Sequence, residues 1–242
     1  MTTSSGEARF ATTRWSVVAR AGAAGEDPER GAALAELCES YWYPVYAFAR
    51  RKGEEPDQAM DLVQSFFAGL IEREQFSRAD PARGRFRSYL LTSFVNFMAK
   101  ERDRAQALKR GGGRHVLSLD GELAENRLAE LGSDSSDPER IYRRAWALTV
   151  VELIVERLGE EYVQRGKGDL FRALRPTLGG DRGAQSLGEV ARELGTTEGA
   201  VKVAAHRLRQ RFGSLLRREV VETVLESDDV EDEIQGLFEA LA

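Results

Sequence analysis

The chain has 242 residues, of which 42% are apolar and 31% charged, enough for one sizeable hydrophobic core or two small ones. No stretch approaches the ~20 uncharged apolar residues of a membrane helix. The segment MTTSSGEARFATTRW lacks the apolar core of a secretory signal. The single cysteine, Cys38, excludes an intrachain disulfide and argues against a Cys-based zinc site, so the expected compartment is the cytoplasm, with no membrane partner. The net charge of −5 hides a partition. From Val201 to Arg218 stand Lys202, Arg207, Arg209, Arg211, Arg217 and Arg218 with no carboxylate, and from Glu219 onward every charge is acidic. That segregation points to a nucleic-acid surface beside an acidic element.

The periodicity is helical nearly throughout. Leu34, Leu37, Cys38, Tyr41, Trp42, Val45, Phe48 and Ala49 follow 3–4 spacing and stop at Gly53. Pro44 within that run predicts a kink or a break. Ala59, Leu62, Val63, Phe66, Phe67, Leu70 and Ile71 form the next stripe, with Asp57, Asp61, Gln64 and Glu72 off it. A third helix starts near Phe86 and runs through Leu90, Phe94, Phe97 and Met98. These helices predict an N-terminal domain over 32–108, preceded by an extension, 1–31.

Between 109 and 138 the pattern fails. KRGGGR and the Ser, Gly and Asp content that follows read as a flexible linker with one short helix. KRGGGR has neither a preceding strand nor the lysine spacing of a phosphate-binding loop. A second helical domain, 139–220, opens with a helix through Trp146, Val150, Leu153, Ile154 and Leu158, followed by a second with Leu170, Phe171 and Leu174. The GGDRG turn then leads into SLGEVARELGTTEGAVKVAAHRLRQRF, which has the internal logic of a helix-turn-helix. Val190 and Leu194 are apolar at i and i+4, Ala191 is small at the crossing, Gly195 makes the turn, and Thr196 or Thr197 can cap the next helix. Val201, Ala204 and Leu208 predict its inward face. Glu198, Lys202, His206 and Arg209 fall on the opposite face, with Arg207 beside them, as a recognition helix presents residues to the major groove. The two histidines, His115 and His206, have no carboxylate frame. No metal site, cofactor site or catalytic constellation is expected, and the chain reads as a non-enzyme.

PVYAFARRKG, DQAMDLVQSFFAGLIER and GRFRSYLLTSFVNFMAKERDR resemble, in that order, regions 2.1 to 2.4 of extracytoplasmic-function (ECF) sigma factors, and the helix-turn-helix resembles their region 4. FATTRW, KRGGGR and AVKVAAHRLRQRF look like the subgroup abundant in planctomycetes and related bacteria. The resemblance covers most of 34–220. It implies docking of the second helix on the β′ clamp helices of core RNA polymerase, through Asp57, Asp61, Leu62 and Gln64. It also implies opening of the −10 promoter element by the third helix, through Arg85, Phe86, Tyr89, Asn96, Lys100 and Arg102. Single strands are held by aromatic stacking and a basic path, and Arg83, Arg85 and Arg87 precede the aromatics while Lys100, Arg102 and Arg104 follow. For Phe94 and Phe97 we expect core packing. The −35 element falls to Glu198, Lys202, His206, Arg207 and Arg209. Promoter DNA is the ligand, and an anti-sigma factor or a Ser/Thr kinase acting at Ser65 would be a further partner. Three positions depart from the family: Met60 stands for an acidic residue, Tyr89 for a tryptophan, and Ala204 for an arginine of the recognition helix.

The expected fold is therefore all-α: two small helical domains joined by a flexible linker. Two rival readings remain, a helix-turn-helix regulator that works without polymerase and a protein-interaction adaptor. The C-terminal segment, 221–242, carries a further pattern. Val230, Ile234, Leu237, Phe238 and Leu241 form an apolar stripe on an acidic helix, capped by Ser227 or Asp228. A disordered tail would not keep that period. The stripe must be buried, against the chain's own domains, in a second copy or on polymerase; opposite charge from the basic 201–218 helix favours docking within the chain, with screening of its DNA face.

Overall fold

The computed structural model describes residues 15–23, 25, 27–73, 75–107, 121–131, 137–179, 186–221 and 229–241, which form helices and turns with no strand among them. The KRGGGR loop, His115, most of the GGDRG turn and the caps expected at Ser227 or Asp228 lie outside the described residues. Contacts divide the chain into two units, 1–150 with 220–242, and 151–219.

In the larger unit, α1 (Trp15–Ala21) packs on α2 (Pro28–Arg51) through Val17, Val18 and Ala21, all buried. Asp27 caps α2 by accepting the Glu29 N–H at 3.1 Å, and Pro28 sits in the first turn, where its missing N–H leaves no bond unmade. Pro44 does not end α2. The helix runs on to Arg51 because its last two turns are almost wholly buried, from Tyr43 through Ala49. Packing of an apolar surface this continuous outweighs the local cost of one interior proline, about 3 kcal/mol.

Next come α3 (Pro56–Glu72) and two short 3-10 helices, Gln75–Arg78 and Pro81–Arg83, then α4 (Phe86–Ala107). Phe94 of α4 is fully buried among the rings of Phe48 at 6.1 Å, Phe66 at 5.0 Å and Phe97 at 6.5 Å. Phe86 is also core, 3% exposed, with Tyr41, Trp15 and Phe76 around it. Gly22, just past α1, is required by a close approach. A Cβ there would lie 2.8 Å from the backbone nitrogen of Ser77, so only glycine lets the end of α1 abut the first 3-10 turn.

Within the expected linker, α5 (Gly121–Glu130) is docked on α2 and α3. Arg50 grips Glu125 with two bonds, 2.7 and 3.0 Å, the Tyr46 hydroxyl donates to it at 2.5 Å, and the Arg127 guanidinium lies 4.1 Å over the Tyr43 ring. The Arg50 bonds, helped by Tyr46 and opposed by partial burial, hold the Glu125 carboxyl below its ordinary value of 4.5. A depressed folded pKa stabilises the fold above the unfolded pKa and loses that stabilisation as pH falls through the folded one. The side chains are 20% and 35% exposed, so screening limits the pair to about 0.5–1 kcal/mol. Wild type should therefore melt above Glu125→Gln at pH 7, and the gap should close as pH falls below 4.5. A gap that persists in acid would show that shape, rather than charge, holds α5.

The long helix α6 (Pro138–Gln164) begins in the larger unit, with Ile141, Tyr142, Ala145 and Trp146 buried. Here the structure departs from the sequence boundary at 139, because Tyr142 and Trp146 are tied to Arg87: the Tyr142 hydroxyl donates to the Arg87 carbonyl at 3.0 Å, and the Arg87 guanidinium lies 4.2 Å from the Trp146 ring. The smaller unit holds the remainder of α6, α7 (Gly168–Leu174), a 3-10 turn Arg175–Leu178, α8 (Leu187–Glu193) and nearly all of α9 (Glu198–Val221). Its core is Ile154, Leu158, Leu174, Val190, Val201, Ala205, Leu208 and Leu215. The last helix, α10 (Asp229–Leu241), belongs to the larger unit.

Candidate nucleic-acid interfaces

The larger unit presents a cleft of about 610 Å³ between α4 and the segment carrying the two 3-10 turns. That segment is built to hold still. Phe76 is buried against Phe86, the Tyr89 hydroxyl donates to the Gln75 carbonyl at 2.8 Å, and Asp80 accepts the Ala82 N–H at 2.9 Å to start the second turn. Tyr89, Ser93, Asn96, Phe97 and Lys100 line the α4 wall, and Arg73, Arg78, Arg83 and Arg104 stand around it with the acids Glu72 and Glu101, of which Glu101 pairs with Arg104 at 2.6 Å. Half-buried Ser65 lies on the α3 side. A ring face, an amide and nearby cations are the parts needed to hold an unstacked base and its phosphates.

The residues expected at the −10 element thus separate. Tyr89, Asn96 and Lys100 meet in the cleft. Phe86 does not; it is core, because it lies at the start of α4, where Tyr41 of α2 and Trp15 of α1 close over it. Arg102 is turned to Glu54, 2.7 Å away, and Arg85 to Glu233, 2.8 Å away. Phe97 is half-buried, stacked on Phe94 while also lining the cleft.

On α3, Asp57 and Asp61 are exposed and Leu62 half-buried, whereas Gln64 is 7% exposed and packs inward. Gln64 sits one turn before the buried Phe67 and beside Val63, so the inward face of α3 includes it. Met60 is half-buried, with its methyl 3.7 Å from where a Cβ on Gly121 of α5 would stand.

In the smaller unit, Ser186 and Glu189 form a reciprocal capping box that starts α8. Bonds from Ser186 hold the Glu189 carboxyl below its usual range. The S-x-x-E spacing was a readable signal. Gly195, at φ +62°, makes the turn, and Thr197 caps α9 by accepting the Ala200 N–H at 3.3 Å. Val201, Ala205 and Leu208 point inward, while Ala204 is only half-buried, so the buried stripe is rotated by one residue from the expected one. Glu198, Lys202, His206, Arg207 and Arg209 are all exposed. Arg209 also reaches the Thr177 carbonyl at 3.4 Å. Arg211 is committed elsewhere in this unit: it pairs with Glu161 at 2.6 and 2.8 Å, and those bonds lower the Glu161 pKa.

The sequence reading missed the environment of Arg87. Its side chain is 11% exposed and held on both oxygens of Glu233, a residue 1% exposed in the middle of the apolar face of α10. Burial, followed by the charge of Arg85, lowers the Arg87 guanidinium to about 10, so it stays a cation at neutral pH. The steering expected from the 201–218 helix is thereby corrected: the inward carboxylate of α10 pairs with Arg85 and Arg87 of the larger unit. The signal available was Glu233 itself, the one acid set among Val230, Ile234 and Leu237.

Residues 37–107, from α2 to the end of α4, match the model of the Sigma-70 region 2 family. Over that span the chain is similar to sigma-70 region 2 domains. No curated protein and no solved structure matches the chain. Among the described residues no helix is long and apolar enough to cross a membrane, and no cluster of His, Cys, Asp and Glu could hold a metal ion.

Proposed function

We propose that the chain is an ECF-type sigma factor that binds core RNA polymerase and directs initiation at promoters. The observation that carries this reading is the coincidence of the region 2 match with the cleft on α4: the matched span, 37–107, contains Tyr89, Asn96, Lys100 and the surrounding arginines. In this reading the cleft receives an unstacked base of the opened −10 element, with Tyr89 as the stacking platform and Asn96 as the hydrogen-bonding group. Asp57, Asp61 and Leu62 meet the β′ clamp helices. The helix-turn-helix reads the −35 element in duplex form, with Lys202, His206, Arg207 and Arg209 on the exposed side of α9. Catalysis remains with the polymerase.

The experiment is run-off transcription with core RNA polymerase on fragments of the source genome, paired with size-exclusion co-elution of the chain and core enzyme. The reading expects co-elution and discrete transcripts that require the chain. Promoter binding without co-elution would make the protein a polymerase-independent regulator, and neither would leave an adaptor.

A further inference from the structure

An acid on the apolar stripe of a helix is costly unless it meets a partner, and Glu233 meets two. Arg87 grips both of its oxygens, and Arg85 Nε reaches Oε2 at 2.8 Å. Arg85 immediately precedes α4 and Arg87 is its second residue, so both guanidinium groups spring from the start of a 22-residue helix. Arg87 is fixed from behind by Trp146 at 4.2 Å. Beside the pair lies a groove of about 430 Å³ whose lining includes Arg85, Arg87, Ser88, Asn96 and Arg143, with one acid, Glu139. Asn96 lines this groove and the larger cleft alike, so the two flank α4 as neighbours. Two converging guanidinium groups at a helix start suit one doubly liganded anion, and a phosphodiester presents the same pair of oxygens as a carboxylate. The other acids of α10 described here, Glu231, Asp232 and Glu239, are exposed. Glu233 alone among them is spent on this contact.

We propose that Arg85 and Arg87 form a backbone-phosphate seat for nucleic acid, and that in the free chain α10 closes it with Glu233 as an internal anion. The proposal rests on the nucleic-acid reading of the α4 face. The plug is tethered: only residues 222–228 separate α9 from α10. Such a short link gives it a high effective concentration, and a nucleic acid must compete with it. Engagement of DNA and docking of α10 are then mutually exclusive and reciprocally coupled. Free chain binds DNA weakly, and whatever displaces α10 raises the affinity.

The test is fluorescence anisotropy of a labelled single-stranded oligonucleotide with the full chain, for wild type, Glu233→Gln and Asp232→Asn, with circular dichroism on each. Glu233→Gln should bind about tenfold tighter, within the usual 5- to 150-fold range of coupled sites. Asp232→Asn, which removes an exposed charge from the same helix, should bind like wild type. Adding Arg85→Ala and Arg87→Ala to Glu233→Gln should abolish the gain. A folded Glu233→Gln chain that binds like wild type overturns the proposal, and so does an equal gain from Asp232→Asn, which would reduce the effect to net charge. Should Glu233→Gln fail to fold, residues 1–228 supply the comparison. Loss of fold there too would make α10 a permanent structural member and end the idea. Run-off transcription separates this from the functional reading: a wrong plug leaves transcription intact without an affinity gain, whereas a wrong sigma assignment leaves the gain without transcripts.

Discussion

Phe94→Ala should lower the stability of the larger unit by about 3–5 kcal/mol, enough to leave much of that unit unfolded at moderate temperature. The ring is 0% exposed, and it is the hub at which α2, α3 and α4 meet, with Phe48, Phe66 and Phe97 packed around it. Truncation removes the transfer free energy of the ring and leaves a cavity that three other aromatic side chains cannot fill without leaving their rotamers. Phe94→Leu should recover most of the loss. Urea unfolding followed by circular dichroism checks both, and the midpoint should shift with little change in slope. A loss below about 1 kcal/mol for the alanine variant would mean that Phe94 is a surface aromatic, and the arrangement of α4 described above would be wrong.

The second large effect is expected on α9. If α9 reads promoter DNA as proposed, replacing Lys202 and Arg209 together with alanine should weaken promoter-dependent binding by about 2–4 kcal/mol, roughly 30- to 1,000-fold, since a good base contact contributes about 1–3 kcal/mol. Both side chains are exposed, and the buried stripe of Val201, Ala205 and Leu208 is untouched. Melting of the variant should therefore match wild type to within about 0.5 kcal/mol, the usual range for surface changes. Salt titration assigns the two roles: a phosphate contact lowers the slope of log affinity against log salt by about 1, whereas a base contact changes sequence preference. Wild-type promoter occupancy in the double variant would remove this face from the DNA interface.

These two expectations differ in how far the chain alone supported them. Phe94 was assigned to the core from its place in the Phe86, Leu90, Phe94, Phe97 series, and it lies there. Phe86 belongs to the same series and was expected to face a base, yet it is buried as fully as its neighbours. Periodicity says which positions share a face, but an aromatic on an apolar face looks the same whether a protein ring or a nucleobase will cover it. For Phe86 the covering groups come from Trp15 and Tyr41, over 40 positions upstream in each case. Pro44 shows the opposite imbalance, with a strong local signal overruled by burial along α2.

What the chain by itself determined was the helical class, the inward faces of the helices to within about one residue, and the turn at Gly195 between α8 and α9. Each of these is set by interactions between residues at most a few turns apart: side-chain spacing, the Ser186–Glu189 box and the positive φ at Gly195. Only the tertiary structure decided which charges are spent. Arg87 and Glu233 are 146 residues apart, Arg50 and Glu125 are 75 apart, and Arg211 and Glu161 are 50 apart. An ion pair leaves no periodic trace in sequence, because any exposed arginine can meet any acid that folding brings near it. The same is true of the division of α6, whose uninterrupted helical pattern conceals that Tyr142 and Trp146 are held by Arg87 of the larger unit.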